Sequence, residues 1–129
     1  MHGNKSFAFE TTLASKSYKH KIEAAKANGY NVTLLFFWLQ TIDLAKQRVK
    51  ARVFSGGHNV EDDVIERRYV NGIKNLFDIY ISIANNVLII DNSETKHQFI
   101  AKKVNNSVLQ IIDNLKFNKF RQYNENERI

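Results

Sequence analysis

Residues 32–39 read VTLLFFWL, a run of β-branched, aliphatic and aromatic side chains without a charge. Such a continuous apolar run predicts a parallel β-strand that is covered on both faces. A shorter strand is predicted upstream, at residues 7–13. Between the two, apolar side chains recur at helical spacing from Ser15, which can cap a helix, to Gly29, which can end one. The order strand, helix, strand is a βαβ unit, so the sequence predicts an α/β fold.

Two helices are predicted after this unit. Thr41 can cap the first, and Arg48 and Arg52 lie one turn apart along the edge of its apolar stripe. Gly56-Gly57 separates it from the second, for which Asn59 is the predicted cap. The predicted buried face of the second helix comprises Ile65, Tyr69, Ile73, Leu76 and Tyr80. Arg68 borders this face, whereas Arg67 points nearly opposite and is predicted to be solvated.

Residues 48–69, RVKARVFSGGHNVEDDVIERRY, carry four arginines and one histidine on these two helices and their hinge. We call this segment the arginine lid, because the layout predicts a lid that closes over phosphate. A guanidinium group suits this task, since its planar fork stays charged and binds phosphate oxygens in pairs. The sequence contains no G-x-x-x-x-G-K-[ST], the motif whose backbone forms the cradle of a phosphate-binding P-loop.

The remaining elements are a strand at residues 87–90, ended by Asp91-Asn92-Ser93, and a C-terminal region with two interpretations. Residues 99–104 and 108–112 can pair as a hairpin around Asn105-Asn106, because asparagine tolerates the positive φ of a tight turn. The apolar residues after position 107 also fit a helical stripe. The polar residues 121–129 are predicted to fray.

Length and composition predict one domain, residues 1–129, with 43% hydrophobic residues to build a single core. Cysteine is absent, and the four histidines match no zinc spacing, so no metal site is predicted. With no apolar run of about 20 residues and no signal peptide, no membrane association is expected and the predicted location is cytoplasmic. The net charge of +6 favours anionic partners, but no nucleic-acid-binding motif accompanies it, so nucleic acid is not expected.

The residues also resemble a known family. FAFETTLASKSYKHKIEAAKANGYNVTLLFFWL, then RVKARVFSGGHNV, IERRY, NLF and LIIDNS, are similar in order to the zeta-toxin-like P-loop kinases, and especially to their shorter bacterial branch. The similarity covers about residues 7–100. It implies descent from ATP-dependent phosphotransferases, of which the zeta toxins belong to toxin-antitoxin pairs.

The resemblance implies roles for individual residues. Glu10 and Thr12 match the element that contacts the substrate, where a carboxylate would accept hydrogen bonds from sugar hydroxyls. Arg52 matches the arginine over the transferred phosphate, so it is a candidate for both catalysis and cofactor binding. Arg48 and Arg68 are further catalytic candidates, and His58 is a further cofactor-binding candidate. The alternative is that Arg48 and Arg68 form surface ion pairs with the acids of the lid, Glu61, Asp62, Asp63 or Glu66, and that His58 is structural.

Family members carry a P-loop strand and a catalytic aspartate for which these 129 residues show no counterpart. We therefore expect a three-layer P-loop-kinase-like parallel sheet that is incomplete at its centre, equivalent to the C-terminal part of a kinase. The isolated chain is expected to use no cofactor, whereas the complete family member would use ATP and magnesium. The strands at residues 7–13 and 32–39 should either pair directly or be joined through a homodimer, which is slightly favoured.

Three functions remain open at the level of sequence. The first is a truncated kinase domain with substrate and lid elements that is not catalytic alone. The second is half of a split kinase for a small molecule such as a nucleotide sugar, with a separate P-loop-containing partner. The third is a basic module that binds nucleic acid. A phosphate-bearing ligand is compatible with all three.

Overall fold

The computed structural model describes residues 6–10 and 16–126, and their side chains from residue 16 to residue 122. Within these residues the chain forms an α/β domain with a mixed sheet of five strands in the order β1-β2-β3-β4-β5. Strands β1 to β3 run parallel, and β4 and β5 are antiparallel additions at one side. The predicted α/β class is therefore confirmed. The sheet is mixed, because β4 and β5 pair as the C-terminal hairpin that was one of the two interpretations of that region, and β4 pairs antiparallel with β3.

The N-terminal βαβ unit consists of β1 (Ser6–Glu10), α1 (Tyr18–Ala27) and β2 (Asn31–Trp38). Gly29 has φ +85°, the left-handed conformation that a glycine after a helix adopts readily. The predicted cap Ser15 lies outside the described residues, and in the structure Ser17 precedes the helix.

The segment between β2 and β3 contains α2 (Ile42–Phe54) and α3 (Asp62–Asn75). Thr41 caps α2 as predicted, because its Oγ1 accepts a hydrogen bond from the Leu44 N–H at 3.1 Å. The predicted cap Asn59 is wrong: α3 begins after Glu61, whose side chain makes no capping bond. A π-helical turn (Leu76–Tyr80) and the short α4 (Ile81–Ile83) complete the segment.

The C-terminal region consists of β3 (Asn86–Asp91), β4 (Gln98–Lys103), β5 (Gln110–Ile111) and α5 (Asn114–Asn126). Asn105 and Asn106 have φ +51° and +62°, so the turn after β4 uses the asparagines as predicted. The second strand of the predicted hairpin, residues 108–112, is only two residues long in the structure, Gln110–Ile111. The prediction that the tail from residue 121 frays is wrong for its described part, which is helical up to Asn126.

β1 and β2 pair directly, with Phe7 opposite Val32 and Glu10 opposite Leu35. Of the two arrangements predicted for these strands, the structure therefore has the direct one. The described sheet therefore has no gap between these two strands.

The helices that build the core cover one face of the sheet. In β2, residues 32, 34, 36 and 38 are buried, whereas the alternate residues remain partly exposed. The buried set packs with Ile22 of α1, Ile73 of α3 and Phe120 of α5 in a single cluster. Parallel strands added in sequence order with right-handed crossovers place their helices on the same face. The buried core of the described residues therefore lies on one face of β2, where a strand covered on both faces was predicted.

No helix within the described residues is long and apolar enough to cross a membrane.

Candidate functional site

A cavity of about 240 Å³ lies between α2, α3 and the carboxyl end of β2. Its lining includes Arg48 and Arg52 from α2 and Arg68 from α3. We call it the arginine pocket. It brings together the three arginines that the sequence singles out for catalysis, from positions up to 20 residues apart in the chain. Its other described lining residues are Phe36, Phe37, Trp38, Leu39, Ala45, Val49, Val60, Ile65, Tyr69 and Ile73.

Arg48 is anchored to the loop that follows β3. Its Nη2 donates hydrogen bonds to the carbonyl oxygens of Asn92 at 2.9 Å and Ser93 at 3.2 Å. The predicted alternative of an ion pair with an acid of the lid is not seen for Arg48 within residues 16–122; Glu66 instead pairs with Lys46 at 2.5 Å. Anchoring to backbone carbonyls fixes where this guanidinium lies at the wall of the pocket.

The loop that holds Arg48 is itself held by Asp91. This carboxylate is 2% exposed. Its Oδ1 accepts a hydrogen bond from the Ser93 N–H at 2.9 Å, and its Oδ2 accepts from Gln40 Nε2 at 2.8 Å and contacts Lys116 Nζ at 2.9 Å. Burial alone raises the pKa of Asp91, but the hydrogen bonds from Ser93, Lys116 and Gln40 outweigh it and lower the pKa to about 2. Asp91 therefore stays ionised and ties three segments together.

Arg52 and Arg68 differ from Arg48, because both are exposed at the rim of the pocket. Neither guanidinium forms a hydrogen bond or ion pair with another residue between positions 16 and 122. No aspartate or glutamate is found among the described lining residues. The rim thus presents positive charge whose donors are available to an anion. Arg67, the sequence neighbour of Arg68, is exposed and does not line the pocket, as its helical phase predicts.

The hinge between α2 and α3 is built on the backbone of Arg52. The Gly57 N–H donates to the Arg52 carbonyl at 2.7 Å, and a Cβ at position 57 would lie 2.9 Å from the same oxygen. Gly56 has φ +98°, a conformation that strains other residues. Both glycines are therefore required for this turn. His58 follows them, exposed and outside the pocket lining, so the geometry adds nothing to its predicted cofactor role.

Two aromatic side chains that the sequence did not single out as site residues form one wall. Trp38 Nε1 donates to the Tyr69 hydroxyl at 3.0 Å, and that hydroxyl donates to the Leu39 carbonyl at 2.6 Å. The pair connects α3 to the end of β2 at the wall of the pocket. Tyr69 was predicted only as part of a buried helix face. A sequence signal existed for Asp91, as the polar end of a buried strand, but none existed for its partners Gln40 and Lys116.

The predicted substrate residues Glu10 and Thr12 fall outside the described side chains. Glu10 ends β1 beside Leu35, with its side chain outside the described part, and Thr12 lies outside the described residues altogether. The backbone register nevertheless brings the carboxyl end of β1 to the same edge of the sheet as the pocket.

The described residues contain no group of three or more His, Cys, Asp or Glu side chains that could hold a metal ion. Asp91, the carboxylate at the end of a central strand, has both oxygens engaged by protein donors.

Comparison with known proteins gives two matches. The family model described as Zeta toxin matches residues 1–114. An uncharacterized protein of Haemophilus influenzae is 36% identical over 63 residues, which are 49% of this chain and 45% of the relative. The match thus spans less than half of that relative. No solved structure matches the chain.

Proposed function

Because the chain belongs to the Zeta toxin family, a family of kinase-like domains, we propose that it binds the phosphate group of a small-molecule ligand in the arginine pocket. In this proposal the arginine lid supplies the phosphate contacts of a kinase-type site. These 129 residues contain no P-loop motif. Phosphoryl transfer would therefore depend on a nucleotide-binding segment supplied from outside them.

The observation that carries the proposal is the grouping of Arg48, Arg52 and Arg68 around one cavity. Like charges gathered without a lining carboxylate repel one another, and an anion placed between them relieves that repulsion. Arg52 and Arg68 are the two whose donors are uncommitted within residues 16–122, so we assign the direct phosphate contacts to them. Arg48 contributes its charge from a fixed position, since two loop carbonyls already hold it.

A titration of the chain with inorganic phosphate tests the proposal, with the fluorescence of Trp38 as the readout. This residue is the only tryptophan in the sequence and lines the pocket. Arg52→Ala and Arg68→Ala should each weaken binding about 10-fold, because a charge-assisted hydrogen bond contributes roughly 1.5–3 kcal/mol and these rim sites are partly screened by solvent. Arg67→Ala is the matched control: it removes an arginine from the adjacent position but outside the pocket, and should bind as the wild type does.

Equal losses in Arg67→Ala and Arg68→Ala would show that net charge, and not the pocket, binds the anion. Absence of phosphate binding by the wild-type chain at millimolar concentrations would reject the proposal.

The split-kinase alternative makes a separate prediction. Co-expression with the P-loop segment of a related kinase should give a complex with ATP-dependent phosphorylation of a hydroxyl acceptor, and Arg52→Ala should reduce that activity by about 10³-fold. A complex that forms without any phosphoryl transfer favours a domain that binds but does not catalyse.

A further inference from the structure

The exposure of the lining residues divides the arginine pocket into a charged rim and an apolar floor. Arg52 and Arg68 are exposed, whereas Phe37, Leu39 and Val49 are apolar and only partly exposed. The lining residues Phe36, Trp38 and Ile73 are buried, so they contribute little accessible surface. A ligand that is bound by the rim arginines would therefore place its remaining atoms against aromatic and aliphatic side chains.

The polar side-chain atoms of the floor are already paired. Trp38 Nε1 donates to the Tyr69 hydroxyl, and that hydroxyl donates to the Leu39 carbonyl. Every other described lining residue apart from the arginines is apolar. A ligand hydroxyl buried here would lose its hydrogen bonds to water and find few in return, which is unfavourable.

The size of the cavity limits the ligand further. Its volume of about 240 Å³ lies below the roughly 300–1,000 Å³ that is typical of pockets for drug-sized ligands. It accommodates one anionic group at the rim and a body of about one ring beneath it.

Building on the proposed function, we propose that the pocket selects an amphipathic anion: a phosphate held by Arg52 and Arg68, joined to a compact apolar body of ring size that packs on the floor. A sugar phosphate, whose body carries hydroxyls on every side, is disfavoured by the same floor. This differs from what the predicted role of Glu10 implies, namely a substrate bound through sugar hydroxyls.

Three probes with the same anionic group separate these possibilities: inorganic phosphate, phenyl phosphate and glucose 1-phosphate. Each is titrated into the wild-type chain by calorimetry and by Trp38 fluorescence. Phenyl phosphate should bind about 10-fold more tightly than inorganic phosphate, a difference of about 1.4 kcal/mol. Glucose 1-phosphate should bind within about 3-fold of inorganic phosphate, since its ring gains little from an apolar floor.

A matched pair of variants on α2 tests whether the floor is responsible. Val49 lines the pocket, and Val53, one turn further along the same helix, does not. Val49→Thr keeps the side-chain volume but adds a hydroxyl, so it should reduce the preference for phenyl phosphate over inorganic phosphate by about 3-fold. Val53→Thr should leave that preference unchanged. The ratio between two ligands is insensitive to a uniform loss of folded protein, which keeps the comparison valid if either variant is destabilised.

The outcomes distinguish this inference from the proposed function. Glucose 1-phosphate binding more tightly than phenyl phosphate overturns the apolar selection while leaving phosphate binding intact. Phenyl phosphate binding that is unchanged in Arg52→Ala and in Arg68→Ala overturns the assignment of the phosphate to the rim. If none of the three anions binds, both the inference and the proposed function fail.

Discussion

Replacement of Asp91 by asparagine should expose how far the site depends on one buried carboxylate. The side chain of Asp91 is 3% exposed and accepts from Ser93 N–H, Gln40 Nε2 and Lys116 Nζ. Asparagine keeps the shape, but one of the two acceptor oxygens becomes an NH₂ donor. The change therefore removes one charge and one acceptor from among the donors of Ser93, Gln40 and Lys116, without opening a cavity.

The expected loss follows from the pKa of the carboxylate. Its pKa falls from the ordinary value of 3.8 to about 2 in the folded chain. At 1.36 kcal/mol per pH unit, this corresponds to roughly 2 kcal/mol of stability at pH 7. Removing one partner of a buried ion pair typically costs about 3–5 kcal/mol, so a loss of roughly 2–4 kcal/mol is expected for Asp91→Asn.

The pH dependence has a definite sign. A carboxylate with a lower pKa in the folded state than in the unfolded state stabilises the fold fully above about pH 4 and progressively less as the pH falls towards 2. At pH 2.5 its contribution should be about a third of that at pH 7 by the same relation. The difference in stability between wild type and Asp91→Asn should therefore shrink as the pH falls from 7 to 2.5.

Urea unfolding followed by far-ultraviolet circular dichroism at pH 7, 4 and 2.5 measures this difference. Glu23→Gln is the control, because it removes a carboxylate from the exposed face of α1 and should change stability by less than about 0.5 kcal/mol. An Asp91→Asn variant within about 0.5 kcal/mol of wild type at pH 7 would refute the reasoning. So would a difference that stays constant down to pH 2.5.

Three further substitutions test other contacts. Tyr69→Phe leaves the Trp38 indole N–H without its acceptor and should cost about 1–3 kcal/mol of unfolding free energy in urea; an unchanged free energy would mean that this bond contributes nothing net. Gly57→Ala places a Cβ 2.9 Å from the Arg52 carbonyl, so it should weaken phosphate binding in the Trp38 titration, and wild-type affinity would show that the hinge adapts at no cost. Lys103→Met removes the buried donor to three carbonyls at the end of α4 and should cost about 1–3 kcal/mol in urea, whereas equal stability would indicate that those carbonyls need no partner.

Local features of the chain were predictable because they depend on residues close together in sequence. Thr41 caps α2, Gly29 takes a positive φ, and Asn105 and Asn106 form the turn after β4. Helical phase also separated Arg68, which lines the pocket, from Arg67, which does not. Capping, turn formation and helical phase act over about one turn of chain, so the order of residues alone determines them.

The arrangement of the layers was decided by tertiary structure. Residues 32–39 look like a strand buried on both faces. In the folded chain the core packs on one face of β2, so alternate residues of this strand stay partly exposed. The direct pairing of β1 with β2 likewise depends on which strand edges meet, which no local pattern specifies.

The arginine pocket likewise combines features set by local sequence with features set by tertiary structure. The sequence determined that three arginines border apolar helix faces on either side of a glycine hinge, since that follows from spacing. Only the folded chain brings Gln40 and Lys116, 76 positions apart, to the same oxygen of Asp91, while the other oxygen holds the loop that anchors Arg48. Contacts between residues so distant in sequence form because packing of the core brings their elements together, and the energy of burying a charge then decides which groups must surround it.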